Sequence, residues 1–107
     1  MSAVANIKSH QCISMLKALA DDTRWRLVRE LLPKPRTVGE LAERLDVSHY
    51  NVSKHLRILR LAGIIETEKK GQNVECRVAD GFRSKLSQNR LLLDLGCCSF
   101  RFDKLPK

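Results

Sequence analysis

Long apolar runs are missing from this 107-residue chain. Nothing in it approaches the roughly 20 apolar residues of a membrane-spanning helix, and its first residues lack the apolar stretch of a signal peptide. The expectation is a cytoplasmic protein with no membrane partner. Acidic residues are scarce too: 12 Asp and Glu stand against 20 Lys and Arg, a net charge of +8. That surplus in so short a chain favours a polyanionic partner, nucleic acid ahead of an anionic membrane surface. Internal repeats and low-complexity tracts are absent. So is any grouping of nucleophile, base and orienting residue, which argues against an enzyme and against a small organic substrate. The length allows one domain with a marginal core, so burial of further apolar surface against a second copy is expected. In a reducing compartment the four cysteines read as thiols for metal, redox or packing roles, not as a disulfide framework.

What the chain does contain is a succession of amphipathic segments. Ile7, Met15, Leu16 and Leu19 recur at helical spacing from about Ile7 to Ala20. Asp21 or Asp22 caps a second helix carrying Trp25, Leu27, Val28, Leu31 and Leu32, which ends at the prolines of "PKP". Thr37 and Glu40 stand in capping-box register ahead of a short helix through Leu41, Ala42 and Leu45. The tight turn "DVS" leads to Ser48, a natural N-cap for a fourth helix. Its Val52, Leu56, Leu59 and Leu61 are expected to face a core, and Gly63 stops it. "IIETEKKGQNVECRVA" then reads as a hairpin with a basic tip around Lys69 to Asn73. A last helix is expected from about Gly81 to Leu95, bearing Phe82, Leu86, Leu92, Leu93 and Leu95. The division expected is a DNA-binding and dimerisation domain over 1–96 and a tail over 97–107 with the cysteine pair.

Helix, tight turn, helix and β-hairpin in that order describe a mainly α chain with a β-hairpin wing, a winged helix-turn-helix. The second helix of such a unit lies in the major groove with its first residues against base edges. Ser48, His49, Tyr50, Asn51, Ser53, Lys54 and His55 supply donors and acceptors there. Asn51 suits a bidentate pair with adenine, Lys54 a guanine or a phosphate, and Ser53 a phosphate. Lys69, Lys70 and Arg77 give the wing phosphate or minor-groove contacts. The bland alternative, the solvated face of an ordinary helix, is weakened by the coincidence of turn, wing order and basic charge. An architectural DNA binder without an inducer, or a protein-interaction module, stays open.

The sequence resembles the ArsR/SmtB winged-helix repressors. The matching words are "LKALADDTRWRLVRELL", "TVGELAERLDVS", "VSKHLRILRLAGII" and "KKGQNVECRV", spanning about Leu16 to Val78. One departure is Asp22, where many members have proline. The resemblance implies a homodimer built from the first and last helices, two recognition helices presented to a palindromic double-stranded operator, and repression released by an inducer. The family's familiar metal sites do not carry over. Counted back from "LDVS", the cysteines of members that sense metal on the third helix would fall on Thr37, Gly39 and Ala42. At the last helix, where zinc sensors carry an aspartate and histidines, Asp80 is followed by Phe82 and no histidine.

Cys12, Cys76, Cys97 and Cys98 remain. Cys97 and Cys98 are adjacent at an expected helix end, and by the resemblance Cys12 lies on the helix packed beside it. Three thiolates from Cys12, Cys97 and Cys98 suit trivalent arsenic or antimony, arsenite or antimonite acting as inducer, within one subunit or across two. Zinc, which wants a tetrahedral set and would need a residue such as His10, ranks lower. A disulfide between Cys12 and Cys97 or Cys98, or a persulfide carried on them, is the redox alternative. The bland readings are that Cys12 is a small buried hydrophobe, that "CCSFRF" alternates into a terminal strand, and that Cys76 packs within the wing.

Overall fold

The computed structural model describes residues 3–86 and 92–101. Helix α1 (Ala3–Leu19) leads through a short bend into α2 (Asp22–Leu31). Strand β1 (Arg36–Thr37) runs directly into α3 (Val38–Leu45), and α4 (His49–Leu61) follows a three-residue turn. The wing is β2 (Ile65–Lys70) and β3 (Asn73–Val78), after which come a single turn α5 (Asp80–Arg83) and the strands β4 (Leu92–Asp94) and β5 (Ser99–Arg101).

The helices begin where short polar side chains satisfy their first free amides. Asp21 accepts from the Arg24 N–H at 3.0 Å and starts α2. Thr37 and Glu40 form a reciprocal capping box at α3, with bonds of 3.1 and 3.0 Å. Ser48 accepts from the Asn51 N–H at 3.2 Å and starts α4. Between them Asp46 closes α3 in the left-handed region at φ 56°, which turns the chain sharply enough to set α4 across α3. Gly63, at φ 81°, ends the run after α4.

Leu27, Val28 and Leu31 of α2, Leu41 of α3, Val52 and Leu59 of α4, and Ile64, Cys76 and Phe82 are fully buried together. Each large aliphatic or aromatic side chain so buried contributes about 1.5–3 kcal/mol. Three expectations are corrected. Leu61 is 73% exposed and faces solvent, because it lies at the last turn of α4, beyond the packed stripe Val52–Leu56–Leu59. The two-residue strand β1 was not anticipated. It pairs Arg36 with Cys76 and Thr37 with Glu75, making the sheet three-stranded in the order β1-β3-β2.

The long last helix is the largest correction. Only Asp80–Arg83 is helical, and Leu92–Asp94 is a strand paired with Ser99–Arg101. Gly96, expected to stop a helix, takes φ 95° in the turn between these strands, where its N–H donates to Asp94 Oδ1 at 2.9 Å. The leucines point to alternate sides, with Leu93 buried and Leu92 exposed, which is strand geometry. A dimer surface built on a long last helix is therefore not available in these residues; the part of that expectation falling on 87–91 lies outside the described residues.

Candidate functional site

Two surfaces carry chemistry. The first is the opening of α4, where Ser48, His49, Tyr50, Asn51, Ser53 and Lys54 are all exposed, Tyr50 at 78%. Burial of Val52, Leu56 and Leu59 on the opposite face holds the helix against α2 and α3, so these polar groups project together from a fixed support. On the wing, Lys69, Lys70 and Arg77 are exposed. Lys70 Nζ donates to Glu75 at 3.1 Å, and Arg77 pairs with Glu66 at 3.1 Å and Glu68 at 3.5 Å. Hydrogen bonding and charge from Glu66 push the Arg77 pKa further up.

His55 is placed differently from its neighbours. It is half-buried, with Nδ1 3.1 Å from Arg24 Nη1 and 3.8 Å from Asp21 Oδ2. Arg24 in turn donates from Nε to the Ala18 carbonyl at 2.6 Å. Although burial works the other way, the Arg24 N–H and the Arg24 and His55 charges hold Asp21 below the ordinary aspartate value. His55 thus ties α4 to the junction of α1 and α2. Sequence reasoning missed this because Arg24 meets His55 only once the helices pack; the available signal was Arg24 lying three residues after the Asp21 cap.

The second surface is the thiol cluster. Sulfur atoms of Cys12, Cys97 and Cys98 lie within 4.8 Å of one another. Cys12, 2% exposed, sits on the inner side of α1. The β4–β5 turn brings the adjacent pair to it: Leu95 N–H donates to the Cys98 carbonyl at 2.9 Å, and Cys97 N–H donates to Cys12 Sγ at 3.3 Å. Cys12 and Cys97 are joined as a disulfide across 85 positions of sequence with Cα atoms 6.1 Å apart, and Cys98 is a free, half-buried thiol. Among the described residues the cluster holds no histidine or carboxylate. The side chain of His10, the further zinc ligand considered, lies outside the described residues. Cys76 is not part of the cluster. It is buried in β3, and burial, followed by the charge of Glu75, pushes its thiol up to about 11, so it packs as a neutral group.

Comparison with known proteins identifies the family. Residues 19–68 match a family model described as a helix-turn-helix domain. The transcriptional activator HlyU of Vibrio cholerae is 38% identical over 66 residues, 62% of this chain and 61% of that protein. The structure of its reduced form aligns with a TM-score of 0.67 at 32% identity, covering 74% of this chain and 83% of that one. The HTH-type transcriptional repressor SmtB of Mycobacterium tuberculosis is 41% identical over 66 residues, 62% of this chain and 49% of that protein. The chain thus spans about half to three-fifths of the length of these curated relatives. A crystal structure of an ArsR family transcriptional regulator aligns with a TM-score of 0.62 at 33% identity, covering 68% of this chain and 75% of that one. No helix among the described residues is long and apolar enough to cross a membrane. With its helix-turn-helix, its wing and these relatives, the chain belongs to the ArsR/SmtB family of winged-helix transcriptional regulators.

Proposed function

We propose that this chain is a homodimeric repressor that binds operator DNA in the cytoplasm and is released when trivalent arsenic or antimony binds Cys12, Cys97 and Cys98. The carrying observation is the gathering of three sulfurs, two from a terminal turn and one from α1, within 4.8 Å. Three soft donors with no histidine or carboxylate among the described residues of the cluster fit a three-coordinate thiophilic ion; zinc prefers four ligands. The cysteines must be reduced to hold the ion, which requires opening of the Cys12–Cys97 bond.

His49, Tyr50, Asn51 and Lys54 read the major groove in this proposal, Ser48 and Ser53 meet the backbone, and Lys69, Lys70 and Arg77 extend the contact along the wing. His55 supports the helix from behind. Exposed Ile13 and Leu16 on α1 supply apolar surface for the second copy. A ligand that fastens the β4–β5 turn to α1 acts on the element that the two copies share. For release, the ion must bind the DNA-incompetent arrangement more tightly, by about 1–3 kcal/mol for a typical coupling.

The test is arsenite titration of the operator complex. Release is expected for the parent and Cys76→Ser, and lost for Cys97→Ser and Cys98→Ser; release that survives loss of both Cys97 and Cys98 overturns the site. Asn51→Ala should erase sequence discrimination, while Lys70→Ala should weaken all sequences alike.

The disulfide favours a second reading, in which oxidation alone releases DNA. Two thiols then lose two protons and two electrons to an oxidant such as a peroxide, and a reductant restores binding. Unchanged DNA binding after complete Cys12–Cys97 oxidation removes it.

A further inference from the structure

Of the three gathered sulfurs only two share a bond, and the third stands beside it as a thiol. Cys12 is buried, Cys98 is half-buried against the core, and Cys97 is exposed. Each sulfur lies within 4.8 Å of the other two, a separation that side-chain rotation closes without moving an element of the fold. The turn is fastened over Cys12 by its backbone. Cys97 N–H donates to Cys12 Sγ at 3.3 Å, Leu95 N–H donates to the Cys98 carbonyl at 2.9 Å, and Asp94 pairs with Ser99 across the strands. None of these contacts uses the side chain of Cys97 or Cys98.

A thiolate beside a disulfide attacks one sulfur and expels the other, and here the backbone decides which. Attack on Cys97 Sγ would join neighbours in sequence. Their Cα atoms stand about 3.8 Å apart across a trans peptide, short of the roughly 4.4–6.8 Å that disulfides span. Attack on Cys12 Sγ joins Cys98 to a residue across the cluster, and Cys12 already holds a partner from this turn with Cα atoms 6.1 Å apart. The step balances within the chain. Cys98 gives its proton to water and its sulfur forms the new bond to Cys12; the Cys12–Cys97 bond breaks, and its electron pair leaves on Cys97, which takes up a proton. No oxidant or reductant is consumed.

We propose that Cys98 is an exchange nucleophile that moves the cross-link on Cys12 from Cys97 to Cys98 and leaves Cys97 as the free thiol. The oxidised chain is then a pair of interconverting disulfide isomers with Cys12 common to both. Exposure gives the exchange a consequence. Cys97 is the sulfur that small thiol-reactive electrophiles meet first, and the exchange returns it as a thiol while Cys12 stays oxidised. The inference deepens the redox reading above and rests on the thiol cluster, not on release of DNA.

The experiment uses the full chain oxidised with hydrogen peroxide. The disulfide isomers are separated in acid, where thiols stay protonated and exchange stops, and each is returned to neutral buffer without oxidant or reductant. Free thiols are then alkylated in acid denaturant, the disulfide is reduced, and the released thiols take a second label. Fragmentation of the peptide carrying both Cys97 and Cys98 assigns the labels. Either isomer is expected to relax to the same mixture over minutes to hours, the range of uncatalysed disulfide rearrangement. The first label should divide between Cys97 and Cys98, the second should always include Cys12, and Cys76 should carry the first label throughout. The half-time should not change on dilution; one that lengthens means transfer between chains and overturns the assignment. Iodoacetamide added to the native oxidised chain should collect on Cys97. First label on Cys98 alone at every time, isomers that persist unchanged, or second label on Cys97 and Cys98 together each overturn the exchange. Peroxide that leaves Cys12 a thiol overturns the redox reading itself.

Discussion

Between Asp21 and Gly63 each helix carries its own start signal within three residues, and the helices bury one continuous apolar face. The segment Leu92–Arg101 has three paired positions, Leu92 with Arg101, Leu93 with Phe100 and Asp94 with Ser99, and is fastened by a cysteine 85 residues away. The first region is specified locally and then packed. The second depends on a distant partner for its place. For the proposed regulator that division has a use: the part proposed to meet DNA stays formed while the part that carries the thiols responds to their chemistry.

The comparison breaks most visibly in the core. Leu59→Ala removes a fully buried side chain from the centre of α4 and is expected to lower unfolding free energy by about 2–5 kcal/mol in a urea melt. Leu93→Ala, equally buried but in the terminal hairpin, should cost less globally and instead speed amide exchange locally around the paired residues. Next comes the cross-link. In oxidising buffer Cys12→Ser should lose about 2–4 kcal/mol relative to the parent, and under a thiol reductant the two should melt alike. A difference that persists under reductant would mean that Cys12 contributes chiefly by packing.

Thr37→Ala tests the local signals and should cost about 1 kcal/mol through loss of the α3 cap. The smallest effect is the acid limb of the same measurement. The Thr37 backbone N–H, and after it the Thr37 hydroxyl that Thr37→Ala removes, hold Glu40 below the ordinary glutamate value, and Asp21 is lowered as well. Carboxylates with depressed values bind protons more readily in the unfolded chain. The stability they give is complete above their ordinary values and is lost as pH falls through the folded ones. Stability should be level near neutrality and fall below about pH 4, with a shallower fall in Thr37→Ala.

The same contrast explains what could be read from the chain. The capping roles of Asp21, Thr37, Glu40 and Ser48 depend on residues within three positions, and the stripe Val52–Leu56–Leu59 on helical period, so the helix-turn-helix was legible. The wing was legible from two β-compatible runs meeting at a basic tip. Leu86, Leu92, Leu93 and Leu95 fit a helical stripe as well as a short strand, and the deciding fact, pairing with Ser99–Arg101 across Gly96, is a property of the fold. Strand β1 is too short to show a period. Grouping Cys12 with Cys97 and Cys98 came from the family resemblance through an assumed helix pair, whereas a hairpin turn delivers the sulfurs. The Arg24–His55 contact has no signal beyond residue type, because it joins separate helices.

The Cys12–Cys97 bond closes a covalent ring across 85 positions of sequence. A protease that cuts once inside the ring leaves the two pieces attached, so the chain keeps its mass until a reductant is added. Pulled from outside the ring, the oxidised chain withholds the 85 positions that the bond spans, and the reduced chain releases them. Force or cleavage thus reports the state of one bond, and α2, α3 and α4 remain inside the loop it closes.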